Sequence, residues 1–408
     1  MEILTGVLAL TGVIVLLVLV LMFCEKKLVQ KGQVKLLIND DPSKSPDVEV
    51  GSNLLMALSN QKIFLPSACG GKGSCGMCKC QVFEGGGDIL PSEMTHISRS
   101  EAKDKWRLAC QVKVRGPMKV KVPDEIFGIR KWECTVRSNA NVATFIKELA
   151  VDLPPGEIIH FESGGYIQID VPEYKDLKFK DFDIEPQYRG DWDKFKLWDL
   201  VANNPAPCFR AYSMANHPAE GNMVMLNIRI ATPPPRQMHL PPGICSSYVF
   251  SLKKGDKITI SGPYGEFHIK KTNREMIYIG GGAGMAPLRS HIFHLFHTEK
   301  TTRKVSYWYG ARSKREMFYT EEFEAIERDF PNFKYHVALS EPQPEDNWKG
   351  FVGFIHQVVH DNYLKNHPNV DEIEFYLCGP PMMNSAVQKM LGDLGVEKEM
   401  IAFDDFGG

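Results

Sequence analysis

The sequence predicts a multidomain chain: an N-terminal transmembrane helix, an α+β domain, an antiparallel β-barrel and a doubly wound, Rossmann-like α/β domain. Three observations carry this. An uncharged run from Ile3 to Cys24 opens the chain, a glycine–cysteine loop lies between short β-like runs before residue 127, and beyond about residue 270 apolar strands alternate with helix-like stretches. At 408 residues the chain has room for several domains of about 100–200 residues each.

The apolar run is 22 residues long and as a helix would reach about 33 Å, enough for a hydrocarbon core. Glu2 precedes it and Lys26, Lys27 and Lys31 follow. A secretory signal would need a positive start, a shorter apolar stretch and a small-residue cleavage site. The basic flank places everything after Glu25 in the cytoplasm, where all of the 10 cysteines but Cys24 are expected to serve as ligands, catalytic groups or core residues rather than disulfides. The expected division is 1–24 transmembrane helix, 25–32 linker, 33–127 α+β domain, 128–269 barrel and 270–408 α/β domain. Lys+Arg 48 against Asp+Glu 50 leaves a formal charge of −2, which excludes a chain-wide electrostatic footprint for nucleic acid. With 43% hydrophobic and 24% charged residues, the bulk is neither disordered nor polytopic.

Residues 33–127 hold β-like runs at Val34–Ile38, Cys80–Phe83 and Met118–Val122, with a short helical pattern near Asn53 to Ser59. Between them stand Cys69-x5-Cys75-x2-Cys78 and, after 31 intervening residues, Cys110 within Arg107-Leu108-Ala109-Cys110-Gln111. Four thiolates suit a [2Fe–2S] cluster, and Gly70, Gly71, Gly73 and Gly76 let the backbone wrap closely with its amides toward the sulfurs. The first spacing is one residue longer than in plant-type ferredoxins and resembles the vertebrate-type loop. A structural zinc site would show paired CxxC or CxxH ligands, which the isolated Cys110 does not supply. Cys24, Cys80, Cys134, Cys208 and Cys245 read as small buried hydrophobes.

Residues 128–269 alternate strands such as Gly165–Ile169 and Lys257–Pro263 with Pro/Gly-rich turns, the pattern of an antiparallel barrel. They contain Arg210-Ala211-Tyr212-Ser213, then the strand Asn227-Ile228-Arg229-Ile230-Ala231. Gly243-Ile244-Cys245-Ser246-Ser247-Tyr248 follows, opening a helix whose N-terminal amides can hold a pyrophosphate. Beyond residue 270, the strand Met276–Ile279 runs into Gly280-Gly281-Gly282-Ala283-Gly284-Met285-Ala286-Pro287, ahead of a helix expected near Pro287. Such a turn lets a dinucleotide pyrophosphate approach the backbone. Strands at Val305–Tyr309 and Phe375–Leu377 lead into Gly310-Ala311-Arg312 and Cys378-Gly379-Pro380-Pro381.

These motifs, in this order, resemble the ferredoxin-NADP+ reductase superfamily. The resemblance implies that Arg210 meets the flavin phosphate, Tyr212 packs on the isoalloxazine and the Ser213 hydroxyl lies near its N5. It extends FAD contacts to Ala211, Asn227, Arg229, Gly243, Ser246 and Ser247, and NADH contacts to Gly281, Gly282, Ala283, Gly284, Met285, Gly379 and Pro380. Cys378 is implied beside the hydride-transfer position, and Phe406, in Asp404-Asp405-Phe406-Gly407-Gly408, as the aromatic stacked on the flavin where nicotinamide enters. Ser213, Cys378 and Phe406 are thereby the implied catalytic residues.

A nicotinamide gives up two electrons as hydride and a [2Fe–2S] cluster takes one at a time, so the flavin must lie between them. The whole chain, including Gly86-Gly87-Asp88-Ile89-Leu90-Pro91 and Tyr307 to Phe318, resembles the family of F subunits of bacterial Na+-translocating NADH:quinone reductases. Tyr174 to Pro207 is longer than a minimal reductase barrel requires and suits that family. The resemblance implies a six-subunit inner-membrane complex, single-pass anchoring, cytoplasmic domains, and quinone reduction and sodium movement in other subunits. An NADH reductase component of a multicomponent oxygenase shares the three modules but generally lacks the membrane helix. A membrane-tethered Fe–S redox sensor would need none of the intact dinucleotide turn, Cys378 or terminal aromatic. Arg312, Lys314 and Arg315 leave NADPH open on the residues alone, and NADH follows from the resemblance.

Overall fold

The computed structural model describes residues 6, 10–20, 32–234 and 236–404, which divide into two compact units, Met1–Gly128 and Ile129–Gly408. The expected span at residues 3–24 lies partly outside the described residues. Residues 10–20 are helical, their apolar side chains exposed, and no helix among the described residues is long and apolar enough to cross a membrane. Phe406 lies outside the described residues.

In the first unit five strands form one mixed sheet: β1 (Gln33–Ile38), β2 (Asp47–Glu49), β3 (Lys79–Glu84), β4 (Trp106–Leu108) and β5 (Met118–Lys121), in the order β2-β1-β5-β3-β4. β1 and β5 run parallel, and the other neighbours are antiparallel. Alternation along β1 turns Leu36 and Ile38 inward. Helix α1 (Leu54–Asn60) starts where the Asn53 side chain accepts a hydrogen bond from the Met56 amide at 2.8 Å, and it buries Leu54, Leu55 and Leu58. Each fully buried leucine is worth about 1.5–3 kcal/mol of transfer free energy. A short helix, α2 (Arg99–Lys103), precedes β4 and opens on a capping box made by Ser98 and Glu101.

The second unit begins with a six-stranded antiparallel sheet of β6 (Arg130–Ala143), β7 (Ile146–Asp152), β8 (Tyr166–Val171), β11 (Cys208–Ser213), β12 (Met223–Arg229) and β13 (Lys257–Tyr264). Its order is β11-β8-β13-β6-β7-β12, and the Met214–Leu226 bridge joins the two edges into a barrel. Leu149, Ile167, Ile169, Leu226 and Ile260 fill the interior, and helix α4 (Ile244–Ser251) packs Cys245 and Val249 onto them. Between β8 and β11 the long segment folds as β9 (Tyr174–Lys178), helix α3 (Pro186–Lys194) and β10 (Val201–Asn204). β9 and β10 pair with each other outside the barrel sheet, over an aromatic core of Phe179, Phe182, Trp192 and Phe250.

The remainder is a parallel sheet of β14 (Met276–Gly281), β15 (Val305–Ala311), β16 (Phe333–Leu339), β17 (Phe351–Val352), β18 (Glu374–Cys378) and β19 (Ile401–Asp404), ordered β17-β16-β15-β14-β18-β19. Helices α5 (Met285–Phe293) and α6 (Thr320–Asp329) cover one face with Leu288 and Phe323 against Tyr278, Tyr307 and Tyr376. On the other face α7 (Ile355–Asn362) and α8 (Pro381–Asp393) bring Val359, Val387 and Leu391 onto Ile277, Trp308 and Leu377. Burial on both faces explains why these strands read as continuous apolar runs. The helix expected near Pro287 starts two residues earlier, at Met285, because a proline in the first turn lacks only an amide that the helix leaves unpaired.

Arg289, on α5, is buried where this sheet meets the barrel. It donates to both Glu220 oxygens (2.8 and 2.9 Å), to Glu322 (2.8 Å) and to the Ala215 carbonyl (2.9 Å), and its guanidinium carbon lies 3.9 Å from the centre of the Phe293 ring. Ser290 adds a bond to the Asn216 carbonyl at 2.8 Å. Arg289→Met should destabilise the full chain by about 1–3 kcal/mol in chemical denaturation, because it leaves the half-buried Glu220 carboxylate without its cation. Burial alone would raise Glu220, but hydrogen bonds from His217 and Arg289 outweigh it and hold the carboxyl at about 2. A depressed carboxylate stabilises above its unfolded value of about 4.3 and loses that contribution as pH falls through its folded value. Thermal midpoints should therefore drop below about pH 4.3 in the wild type and drop less in Arg289→Met.

Candidate functional site

In the first unit the loop between α1 and β3 carries three of the four predicted cysteines, and Cys110 follows β4. The thiols stand in two pairs. The Cys75 thiol donates to Cys69 at 3.3 Å, and Cys78 interacts with Cys110. The bond from Cys75, with the backbone amides of residues 72, 74 and 75, pulls Cys69 down to about 3, while the same contact pushes Cys75 up. Cys78 in turn lowers Cys110 to about 7, helped by the Gln111 side chain and the Gly73 amide, and is itself raised. Among the described residues no three His, Cys, Asp or Glu groups converge on a single metal ion. Two pairs of thiols under a set of inward amides instead suit a cluster of two irons, one pair to each.

Backbone conformation is what allows this wrap. Gly76 has φ 69°, and a Cβ there would stand 2.8 Å from the His96 ring. Beside the loop, Arg107 and Glu93 form a buried, two-point ion pair at 2.8 and 2.9 Å. Arg107 also donates to the carbonyls of Gly86, Gly87 and Asp88, and Glu93 accepts from the Leu90 and Leu108 amides. The pair thus fastens the Gly86–Pro91 motif to the strand that delivers Cys110. Burial works against the Glu93 charge, but the Arg107 bond and the two amides outweigh it and hold the carboxyl below its ordinary range.

In the second unit the predicted residues gather at two places. On the barrel, β11 carries half-buried Arg210, Ala211 and Tyr212 and buried Ser213. Arg210 donates to the Phe209 carbonyl at 2.7 Å, and burial raises the Tyr212 phenol. Gly243 caps α4, and a Cβ on it would lie 2.6 Å from Ala231. Ser246 does not cap the helix; its hydroxyl accepts from the Ala231 amide at 3.0 Å and ties the strand end to α4. Asn227 is buried on β12, donating to the Tyr319 hydroxyl at 2.8 Å, whereas Arg229 is exposed two residues on. The buried atoms Ser247 Oγ, Asn227 Oδ1 and Gln168 Nε2 have no protein hydrogen-bond partner. A helix start, a Cβ-free cradle and three unmatched polar atoms fit a polar, phosphate-bearing cofactor such as FAD.

The second gathering lies at the carboxyl edge of the parallel sheet. After β14 the chain turns through Gly282, with φ 57°, into Ala283, Gly284 and Met285. A Cβ on Gly284 would stand 2.1 Å from the Cys378 carbonyl, so the turn and the end of β18 touch through backbone. Cys378 is fully buried, Gly379 and Pro380 lead into α8, and Cys378 pairs in register with Asp404 of β19. Asp404 accepts a hydrogen bond from Ser213 at 2.6 Å. The structure therefore brings Ser213, Cys378 and Gly284 to one place.

Asp404 joins these three and was missed by sequence reasoning, which used the terminal Asp404–Gly408 run only for its aromatic residue. Tyr319 and Glu148 were missed as well. Glu148 lies opposite Asn227 in register, and the Tyr319 hydroxyl bridges the two.

A barrel carrying the Arg-x-Tyr-Ser strand, set against a parallel sheet with a glycine turn and preceded by a four-cysteine unit, defines an iron–sulfur flavoprotein reductase. Family models agree on each part: a 2Fe-2S iron-sulfur cluster binding domain over residues 38–115, an oxidoreductase FAD-binding domain over 199–269 and an oxidoreductase NAD-binding domain over 278–389. A cytochrome P450 reductase from Amycolatopsis shares the fold, with a TM-score of 0.63 at 23% identity over 91% of this chain and 98% of that one. The F subunit of the Na(+)-translocating NADH-quinone reductase from Haemophilus ducreyi is 57% identical over 99% of this chain and 98% of its own. That of Serratia proteamaculans is 56% identical over the full length of both. The chain belongs to the family of Na+-translocating NADH-quinone reductase F subunits.

Gly284→Ala should lower kcat/KM for the dinucleotide about a hundredfold while leaving bound flavin in place, because the turn must shift away from Cys378. Steady-state kinetics beside a flavin absorbance count would check it.

Proposed function

We propose that this chain oxidises NADH and passes electrons through FAD and a [2Fe–2S] cluster to other subunits of a six-subunit, quinone-reducing, sodium-exporting complex. The observation that carries the reading is the meeting of Ser213 and Asp404 with Cys378 and Gly284, where barrel and dinucleotide turn abut. The relatives' name supports the wider assignment to the complex. Residues 1–24 are proposed as a single inner-membrane helix, resting on the 22-residue uncharged run, with the domains at 33–127, 128–269 and 270–408 in the cytoplasm. That run separates the chain from soluble reductase components of oxygenases.

FAD, when bound, accepts hydride from NADH and releases its two electrons singly. Arg210 and the first turn of α4 would hold its phosphates, with Gly243, Ser246 and Ser247 shaping the approach and Ala211 and Asn227 lining the barrel side. Arg229, exposed on its strand, would reach the cofactor's rim. Tyr212 would cover the ring, while Ser213, its hydroxyl directed by Asp404, would stand beside the reacting edge. Gly281, Gly282, Ala283, Gly284 and Met285 would seat the dinucleotide pyrophosphate at the start of α5. Cys378, Gly379 and Pro380 would bound the nicotinamide, and Phe406 would cover the flavin until it enters. Cys69, Cys75, Cys78 and Cys110 would hold the two irons.

Stopped-flow mixing of the detergent-solubilised chain with NADH should bleach the flavin first and the cluster's visible band second. Cys69→Ala should abolish the cluster band while leaving flavin reduction within roughly twofold of wild type. Loss of both together would overturn the modular reading, and absence of any bleaching would overturn the NADH reading.

A further inference from the structure

Two features of the sequence find no use in the mechanism above: the long segment Tyr174 to Pro207, and the basic cluster Arg312, Lys314 and Arg315. The fold joins them. Trp192 on α3 is fully buried and donates its indole N–H to the Thr144 carbonyl at 2.9 Å, anchoring the inserted helix to the turn between β6 and β7. Its neighbour Asp191 accepts from Arg312 Nη2 at 2.9 Å. Glu316 faces the same nitrogen at 3.4 Å and is itself held by the Thr144 amide at 3.1 Å and the Thr144 hydroxyl. Asp191 is 18% and Arg312 36% exposed, so the pair is partly shielded from solvent.

Arg312 directly follows β15. In an open parallel sheet a dinucleotide lies across the carboxyl ends of the strands where their order reverses, here between β14 and β18. With the nicotinamide beside Cys378 and the pyrophosphate on the β14 turn, the adenosine extends toward the ends of β15 and β16. That end is where Arg312 stands, with Glu341 bonded through its amide to the Arg312 carbonyl at 2.7 Å. Asp346 accepts from the Lys314 amide at 3.1 Å and feels the charges of Lys314 and Arg315. Of the cations that could take a phosphate on the adenosine ribose, Arg312 is thus already faced by the Asp191 and Glu316 carboxylates.

We propose that the insertion sets the choice of dinucleotide: Asp191 is a specificity-determining residue that holds Arg312 in an ion pair, so the site favours a free ribose 2′-hydroxyl over a 2′-phosphate. A 2′-phosphate would have to displace Asp191 and then sit beside two carboxylates, an arrangement that repels as well as fails to attract. The inference rests on the NADH-oxidising reading and deepens it.

The test uses the full, FAD-loaded chain. Asp191→Asn should raise kcat/KM for NADPH about tenfold, mainly through KM, as expected when an arginine is released to a phosphate. NADH should change less than about threefold, and Asp191→Glu should keep the wild-type ratio. Adding Arg312→Ala to Asp191→Asn should cancel the NADPH gain. Calorimetric titration with adenosine 2′,5′-bisphosphate against 5′-AMP should show the same shift without flavin chemistry. An unchanged NADPH:NADH ratio in a folded Asp191→Asn protein, an equal fall for both dinucleotides, or a gain that survives Arg312→Ala would each overturn the proposal. Failure of the wild type to oxidise NADH would instead sink the underlying reading, and the calorimetric comparison would still decide the role of Asp191.

Discussion

The Arg289 ion pair is the constraint on which the rest of the second unit depends. Hydride transfer requires two layers, an antiparallel barrel and a parallel sheet, to present their groups within a few tenths of an ångström of a working geometry. Arg289 reaches from the first helix of the parallel sheet into the Ala215–Glu220 loop of the barrel, and its two-point contact with Glu220 sets orientation as well as distance. A planar guanidinium with five donors suits this; a lysine would hold the same charge without the direction. Once that contact is made, Ser213 of the barrel falls within hydrogen-bond reach of Asp404 of the sheet.

The same economy of approach governs the backbone. Gly284 touches the Cys378 carbonyl where any side chain would collide, so the dinucleotide turn and the end of β18 sit closer than side chains permit. Gly76 does the equivalent work in the first unit, where the loop must curl until its amides face the sulfurs. There the buried Arg107–Glu93 pair takes the part that Arg289 plays in the second unit, tying a glycine-rich loop to the strand that positions Cys110. Both arginines are satisfied almost completely, which is what makes a buried charge tolerable.

Much of this was legible in the residues. The four-cysteine spacing, the Arg210–Ser213 strand and the Gly280–Pro287 turn each name a chemistry because few residue types can do that work and their spacing along the chain is short. The two-sided apolar strands near Met276, Val305 and Phe375 announce a parallel sheet for the same local reason. What stayed hidden involves pairs far apart in sequence. Asp404 looks like one more terminal acid until β19 sets it beside Cys378. Asp191 and Arg312 are separated by 121 residues, and nothing in either neighbourhood signals the other.

By itself the sequence determined the order of the modules and offered the four-cysteine pattern and the glycine turn as their candidate sites, because these are written in short-range spacing and in residues with unique capacities. Tertiary structure alone decided that Ser246 anchors a strand rather than caps its helix, that Arg229 stands in solvent, that Asp404 lies beside Ser213 and Cys378, and that the inserted helix pairs with Arg312. Those outcomes depend on which strands become neighbours and in what register. Register is a property of the packed sheet, and no local run of residues contains it.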